Sequence, residues 1–140
     1  MPRKPIGKLI SYIYRQNQKY LSKMLKPYGI GGGGQHSFLI EIIKNPGISQ
    51  DQLTAELKFD KATTARAVKQ LEGAGYVNRT IDQSDRRSYQ LYPTQKALDF
   101  YPALFKMLET SNQLLTSDMT EEEIDQLLFL LRKLNYKSFD

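Results

Sequence analysis

The stretch from residue 49 to residue 92, SQDQLTAELKFDKATTARAVKQLEGAGYVNRTIDQSDRRSYQLY, carries the signals that decide the fold. Its first four residues have the spacing of a capping box, with Ser49 as the N-cap of a short helix. After a tight turn, Asp60 is placed to cap a second helix that runs to about Glu72, where glycines stop it. Two short helices joined in this way are the pattern of a helix-turn-helix unit.

The second half of the same stretch predicts a β-hairpin. Residues 76–81 and 87–92 have the composition of two antiparallel strands, and Pro93 ends the second because it cannot donate to a ladder. The residues between the strands are turn formers, so Asp85 and Arg86 lie near the tip. A helix-turn-helix followed by a hairpin predicts a winged helix-turn-helix, in an α+β chain that is mainly α with a small β-wing.

Amphipathic helices flank this unit on both sides. Before it, residues 6–28 place apolar side chains at helical spacing. After it, residues 94–137 predict a long helix capped by Thr94 and a last helix with a capping box at Thr120. Pro102 falls inside the long helix and is expected to kink it or to delay its start. These helices carry more apolar face than a winged helix can cover, which predicts a two-fold homodimer built through them.

Composition narrows the classes of function. The chain carries a net charge of +5 and has a pI of about 9.3, which suits a polyanionic partner such as nucleic acid. It has no cysteine and one histidine, His36, so disulfides, thiolate metal sites and multi-histidine clusters are excluded. No nucleophile-elbow pattern or carboxylate pair stands out, so neither an enzyme nor a cofactor is expected. Without a bilayer-spanning apolar run or a secretory signal, the expected location is the cytoplasm.

The second helix of the unit is the predicted recognition helix. Ala65, Val68 and Leu71 are expected to face the core, which leaves the polar side chains of its first turns for the major groove. Arg66 can donate two hydrogen bonds to guanine, and the neighbouring threonines can reach a phosphate, a base edge or a thymine methyl group. The plainer alternative is a solvated helix face with incidental basic residues.

Two further places complete the candidate DNA surface. Ser49 and Gln50, at the start of the preceding helix, are expected to bind a backbone phosphate through exposed N–H groups. At the wing, Asp85 is expected to orient one arginine while the other enters the minor groove; the alternative is an ordinary surface ion pair. The full candidate set is Ser49, Gln50, Lys61, Thr63, Thr64, Arg66, Gln70, Asp85, Arg86 and Arg87.

Residues 53–98 contain the motifs Leu71-Glu72-x-x-Gly75-Tyr76-Val77, Arg79, Ser84-Asp85-Arg86-Arg87 and Thr94-x-Lys96. With these motifs, the segment resembles the winged-helix core of the MarR family (multiple antibiotic resistance regulators). The resemblance implies a homodimeric transcriptional regulator that binds pseudo-palindromic operators in double-stranded DNA, commonly as a repressor released by a small ligand. By position, it assigns recognition-helix contacts to Thr63 and Arg66 and the wing contact to Arg86.

We therefore expect a single domain that spans residues 1–140. Residues 35–93 form its DNA-binding lobe, and residues 6–28 and 94–137 supply the dimerisation helices. Glycines 31–34 predict a flexible connector rather than a phosphate loop, because no strand precedes them and no Gly-Lys-Ser/Thr follows. The first helix could instead lie on a membrane surface, but an apolar stripe of this width is more often buried against other helices.

A small-molecule effector belongs to the same expectation. A pocket between the flanking helices and the lobe would draw on Tyr12, Arg15 and His36, with Tyr20 nearby, to hold an aromatic or phenolic anion by stacking and charge-assisted hydrogen bonds. The plainer alternative is that these are ordinary residues of amphipathic helices. For the whole chain, the alternative is a winged helix that serves as a protein-interaction module without specific DNA binding.

Overall fold

The computed structural model describes residues 4–31, 34–85 and 87–137 of the 140-residue chain. Its mainly α architecture with a small antiparallel sheet confirms the predicted fold class. Within the described residues the elements are α1 (Ile6–Leu25), a 3-10 turn (Lys26–Tyr28), α2 (Gln35–Lys44), β1 (Ile48–Ser49), α3 (Gln50–Leu57), α4 (Lys61–Gly73), β2 (Val77–Ile81), β3 (Tyr89–Pro93), α5 (Gln95–Leu115) and α6 (Glu121–Lys133).

The helix-turn-helix is formed by α3 and α4, and both predicted caps are present. Ser49 Oγ accepts a hydrogen bond from the backbone N–H of Gln52 at 3.0 Å, and Gln52 Oε1 accepts one from the Ser49 N–H at 3.0 Å. Asp60 Oδ1 accepts a hydrogen bond from the N–H of Thr63 at 2.7 Å. Such caps satisfy donors that have no intrahelical partner, and they therefore decide where each helix begins.

The wing belongs to a three-stranded antiparallel sheet. β3 lies between β1 and β2, and Leu91 at its centre pairs with Ile48 of β1 and with Arg79 of β2. The hairpin of β2 and β3 was predicted, but β1 was not, because two residues in front of a helix cap give no periodic signal. The third strand ties the start of α3 to the wing, so that the helix-turn-helix and the wing form one lobe.

Both strands of the hairpin begin later than predicted. The N–H of Tyr76 bonds to the carbonyl of Leu71 at 2.9 Å, so it closes the end of α4 and β2 begins at Val77. At the tip, the N–H of Ser88 bonds to the carbonyl of Asp85 at 2.9 Å, and β3 begins at the next residue. In each case, a backbone N–H at the predicted start of the strand forms a hydrogen bond within a turn.

Helix α5 runs without interruption from Gln95 to Leu115 and includes Pro102. The expectation that Pro102 delays the start of this helix is wrong. The side chain of Thr94 accepts a hydrogen bond from the N–H of Ala97 at 3.2 Å, and Ala97, Phe100 and Leu104 are buried. Because Pro102 itself is exposed, the carbonyl that loses its helical partner lies on the solvent side, where water can replace that partner.

The core lies where the second half of α1, α2, α4 and α5 meet the sheet. It excludes most of the flanking helices, because the first half of α1 is exposed and α6 buries none of its side chains among the described residues. None of the described helices is both long and apolar enough to cross a membrane. The buried apolar residues are Leu21, Leu25, Ile30, Phe38, Leu39, Ile42, Leu53, Ala67, Val68, Leu71, Tyr76, Val77, Leu91, Ala97, Phe100 and Leu104.

A buried polar pair aligns α1 with α5. Ser111 Oγ donates a hydrogen bond to Asn17 Oδ1 at 2.9 Å, and Ser111 is only 4% exposed. A buried amide that has a partner in only one register favours that register, so this bond aligns the two flanking helices.

We expect the substitution Leu104→Ala to lower the free energy of unfolding by about 2–5 kcal/mol, because it leaves a cavity in the core. The matched control is Leu98→Ala on the same helix, where the leucine is 45% exposed and the expected loss is below about 1 kcal/mol. Urea denaturation followed by circular dichroism at one protein concentration measures both values. Equal losses for the two variants would contradict the described core.

Candidate nucleic-acid interface

The exposed first turns of α4 carry a chain of three hydrogen-bonded side chains. Thr63 Oγ1 donates to Asp60 Oδ2 at 3.0 Å, and Arg66 Nη2 donates to Thr63 Oγ1 at 3.2 Å. The hydrogen bonds from Thr63 hold the pKa of Asp60 below its usual value, so this carboxylate remains charged at neutral pH. Asp60 thus sets the direction of Thr63, and Thr63 sets the direction of the Arg66 guanidinium.

Thr64 does not belong to this surface, which corrects its prediction as a DNA contact. It is 0% exposed, and its hydroxyl donates to the carbonyl of Asp60 at 3.0 Å. The apolar face of α4 is shifted from the predicted one: Ala67 is buried and Ala65 is exposed. A threonine can lie on the buried face because the carbonyl four residues earlier satisfies its hydroxyl group.

The side chain of Gln70, an exposed residue, bonds to another helix. Its Oε1 accepts a hydrogen bond from Nε2 of Gln35, a buried residue at the start of α2. The ring of Phe38 on α2 also lies 4.9 Å from the ring of Phe59, in the turn before α4. Gln70 therefore connects the recognition helix to α2, and its contact with DNA stays a prediction.

The start of α3 offers less to a phosphate than predicted. Ser49 uses both its hydroxyl and its N–H in the capping box, so its N–H is not exposed for an anion. The Oε1 atom of Gln50 is buried and has no hydrogen-bond partner among the described residues. The phosphate contact predicted for Ser49 and Gln50 stays a prediction, and the N–H of Ser49 is already used in the capping box.

At the wing, the predicted pairing of Asp85 with an arginine is present. Asp85 Oδ1 accepts a hydrogen bond from the N–H of Arg87 at 3.1 Å and lies 3.5 Å from the Nε of the same residue. The side chain of Arg87 is nevertheless 94% exposed. Asp85 therefore orients Arg87, and Arg86 lies outside the described residues. The tip is further held by Asp82, whose pKa is lowered by hydrogen bonds from Ser84.

Arg79 connects the wing to the recognition helix, a role that sequence reasoning missed. Its Nη2 lies 3.2 Å from Glu72 Oε1 and its Nε 3.3 Å from Glu72 Oε2, and its guanidinium lies 4.7 Å from the ring centre of Tyr89. Glu72 is on α4, Arg79 on β2 and Tyr89 on β3. The sequence shows two opposite charges seven residues apart, but this spacing does not predict an ion pair by itself. The turn between Glu72 and Arg79 brings the two side chains together.

Comparisons with known proteins identify the family. The family model described as MarR matches residues 34–89. An uncharacterized HTH-type transcriptional regulator of Bacillus subtilis strain 168, YybA, is 36% identical over 71% of this chain and 67% of its own length. The crystal structure of a MarR transcriptional regulator from Methanosarcina mazei Go1 is 40% identical, covers 94% of this chain and 96% of its own, and superposes with a TM-score of 0.85. The chain belongs to the MarR family.

As a MarR family member, the chain is a transcriptional regulator of the helix-turn-helix type, a class whose members are generally not enzymes. A structure described as a MarR family regulator from Listeria monocytogenes, complexed with 26mer DNA, is 31% identical. It covers 91% of this chain and 85% of its own, with a TM-score of 0.83.

Among the residues that the structure describes, the three predicted effector contacts lie in two separate places. Tyr12 and Arg15 lie on the exposed first half of α1, and the Tyr12 hydroxyl accepts a hydrogen bond from Gln16. His36 lines a small cavity of about 10 Å³ against the second half of α1, too small for an aromatic anion. A larger cleft of about 260 Å³ lies between α1 and α5, and Tyr20 is among the residues that line it.

Burial of His36 predicts a dependence of stability on pH. Desolvation lowers the pKa of His36 below its usual value of 6.5, so the unfolded chain binds a proton that the folded chain does not. The contribution of neutral His36 to the free energy of unfolding is fully present above about pH 6.5. It is lost as the pH falls toward the pKa that His36 has in the folded chain. We expect the free energy of unfolding to decrease as the pH falls below about 6.5, with a slope of at most about 1.4 kcal/mol per pH unit from this group.

The variant His36→Gln isolates this contribution, because glutamine does not titrate in that interval. Urea unfolding at a series of pH values should give a flatter profile for His36→Gln than for the wild type. An unchanged slope in the variant would assign the pH dependence to other groups.

Proposed function

We propose that this chain is a homodimeric, sequence-specific regulator that binds pseudo-palindromic operator DNA. The observation that carries the proposal is the ordered, exposed set formed by Asp60, Thr63 and Arg66 at the beginning of α4. It lies on a lobe whose wing is tied to the same helix through Arg79. A recognition helix in the major groove and a wing in the adjacent minor groove make two connected contacts with one half-site.

In this proposal, Arg66 is the principal base-reading residue. Thr63 holds its guanidinium through one nitrogen, which restricts the directions from which the other donors approach the O6 and N7 atoms of guanine. Lys61, exposed at the first position of α4, contacts a phosphate through its charge. Arg87 and Arg86 supply the minor-groove contact, with Asp85 as the orienting partner of Arg87.

Exposed apolar faces on the flanking helices support the homodimer. Leucine and isoleucine side chains that are roughly half exposed lie along the first half of α1 and along α6. A monomer in water rarely leaves such a contiguous surface uncovered. A second copy would cover both faces and place two recognition helices about one helical turn apart. The exposed apolar residues in question are Ile6, Leu9, Ile10, Ile13, Leu128, Phe129, Leu130, Leu131 and Leu134.

The regulatory part of the proposal is repression that a small aromatic or phenolic anion relieves. The cleft between α1 and α5 supports it, because that cleft has room for a single ring and offers the side chains of Asn17 and Tyr20 for hydrogen bonding and stacking. A ligand there would compete with the hydrogen bond between Asn17 and Ser111. Binding would thus change how the two flanking helices align.

One selection experiment tests the proposed function. The full chain is mixed with a pool of random duplexes, and the bound fragments are sequenced with and without phenolic acids. Enrichment of an inverted repeat supports a dimeric operator-binding regulator, and loss of enrichment with a phenolic acid supports relief by that ligand. Absence of salt-dependent duplex binding would favour a protein-interaction module instead.

We expect Arg66→Ala to reduce the preference for the selected duplex over a random duplex by about tenfold, which is about 1.4 kcal/mol. Fluorescence anisotropy at one salt concentration measures both affinities. The control Lys106→Ala removes an exposed positive charge from α5 and should keep the wild-type preference. Thr64→Val should lower stability and keep the preference, because the Thr64 hydroxyl bonds within α4. An unchanged preference in Arg66→Ala would refute its role as the base-reading residue.

We expect the double substitution Leu128→Lys and Leu131→Lys to convert the dimer into a monomer, because it places two charges on the apolar face of α6. Sedimentation velocity over a range of concentrations reports the mass. Gln126→Lys adds a charge to a polar, exposed position of the same helix and should leave the dimer intact. A wild-type chain that sediments as a monomer at all concentrations would contradict the proposed assembly.

A further inference from the structure

The C-terminal end of the recognition helix receives its positive charge from another helix. Among residues 61–73, all of which the structure describes, the last turn holds no basic side chain and contains Glu72. Lys96 from the first turn of α5 reaches across, and its Nζ donates to the carbonyl of Ala74, the C-cap of α4, at 2.6 Å. A cation at this end satisfies an unpaired carbonyl and opposes the negative pole of the helix.

Several other contacts hold Lys96 and the end of α4 together. The Lys96 ammonium lies 4.5 Å from the centre of the Tyr76 ring. Thr94 Oγ1 donates to the carbonyl of Gly75 at 2.6 Å, and the Thr94 N–H donates to the carbonyl of Tyr76 at 3.0 Å. Gly75 has a φ of +85°, and a Cβ atom there would lie 3.6 Å from Lys96 Cδ. Thr94 and Lys96 thus form hydrogen bonds with three consecutive residues, 74–76, that follow the recognition helix.

Tyr76 extends this connection to the end of α1. Its hydroxyl donates to the carbonyl of Tyr28 at 2.5 Å, although the two residues are 48 positions apart. The ring of Phe100 lies 4.6 Å from the Tyr28 ring and 5.5 Å from the Tyr76 ring. The 3-10 turn that follows α1, the end of α4 and the start of α5 therefore meet at one joint. This joint is defined here as Tyr28, Ala74, Tyr76, Lys96 and Phe100.

We propose that Lys96 is a positioning residue that fixes the tilt of the recognition helix relative to α1 and α5. The inference rests on the proposed function, because tilt matters only if two recognition helices must meet two half-sites at a defined separation. Helix α4 has 13 residues and is therefore about 20 Å long, so a rotation of about 5° at its C-terminal end moves its N-terminal turn by about 2 Å. A bidentate contact with a base does not tolerate such a displacement.

The contribution of Lys96 is then specificity for the separation of the half-sites. With the joint intact, a duplex whose half-sites are one base pair too close or too far is rejected, because the recognition helices cannot tilt to reach it. With the joint loosened, the recognition helix adopts a range of tilts. The affinities for duplexes with incorrect half-site separations then approach the affinity for the duplex with the correct separation.

The test uses the full chain and the inverted repeat that it enriches. Affinities are measured by anisotropy for that repeat and for versions with one base pair inserted or deleted between the half-sites. We expect Lys96→Met to reduce the preference for the selected separation by about fivefold, and Lys96→Arg to restore most of it. The control Lys106→Met removes the same charge from an exposed position of the same helix and should keep the wild-type preference.

A second readout does not depend on DNA. Hydrogen–deuterium exchange of the backbone amides at the end of α4 should increase by about tenfold in Lys96→Met and remain unchanged in Lys106→Met. Tyr76→Phe keeps the ring beneath Lys96 and loses only the hydrogen bond to Tyr28. It should alter the separation preference in the same direction if the end of α1 is part of the joint.

Two results would overturn the inference while the proposed function stands. The first is a uniform loss of affinity for all separations, together with a slope of log binding constant against log salt concentration that is smaller in magnitude by about 0.9. This result would make Lys96 a phosphate contact. The second is a lower melting temperature with an unchanged separation preference, which would make its role purely structural. If the wild-type chain enriches no inverted repeat, the proposed function fails first and this inference fails with it.

Discussion

The recognition helix is held at both ends by residues outside it, and the rest of the interface depends on this constraint. At its beginning, the carboxylate of Asp60 caps the helix and also orients Thr63. At its end, the Lys96 ammonium satisfies the carbonyl of Ala74. A helix of 13 residues has little stability alone in water. Its geometry is therefore imposed by these end contacts and by the core beneath it.

Local signals in the sequence were sufficient for the helices and the hairpin of the lobe, but not for β1. The caps at Ser49, Asp60 and Thr120 act through hydrogen bonds within three residues, so they can be recognised without tertiary knowledge. The rotation of α4 about its axis was less accessible, because alanine and threonine both fit a buried or an exposed position. Only the packed structure distinguishes Ala67 from Ala65, and that distinction moved Thr64 from the DNA surface into the core.

The residues that tie elements together could not be found in this way. The hydrogen bond between Gln35 and Gln70, the ion pair between Arg79 and Glu72, and the bond from Lys96 to the helix end join segments that only the folded chain brings together. The motif residues Glu72, Arg79 and Lys96 were visible in the sequence as a pattern, but the pattern did not specify their partners. The positions of these three residues show that part of the family motif holds the lobe together. Not every motif residue lies on the proposed DNA surface.

The exposed faces of α1 and α6 connect the stability of the chain to its concentration. If a second copy covers these faces, dimerisation contributes to folding, and the fraction of folded chain rises with total protein. In the proposed function, DNA bearing two half-sites would bind only the dimer tightly, so that operator binding would draw on the same equilibrium. The joint would then connect dimerisation to the proposed DNA surface. The hydrogen bond from Tyr76 to Tyr28 and the bond from Lys96 to Ala74 both hold the C-terminal end of α4. Changes in how the flanking helices pair would therefore reach the recognition helix through its C-terminal end, while Asp60 keeps its N-terminal end ordered.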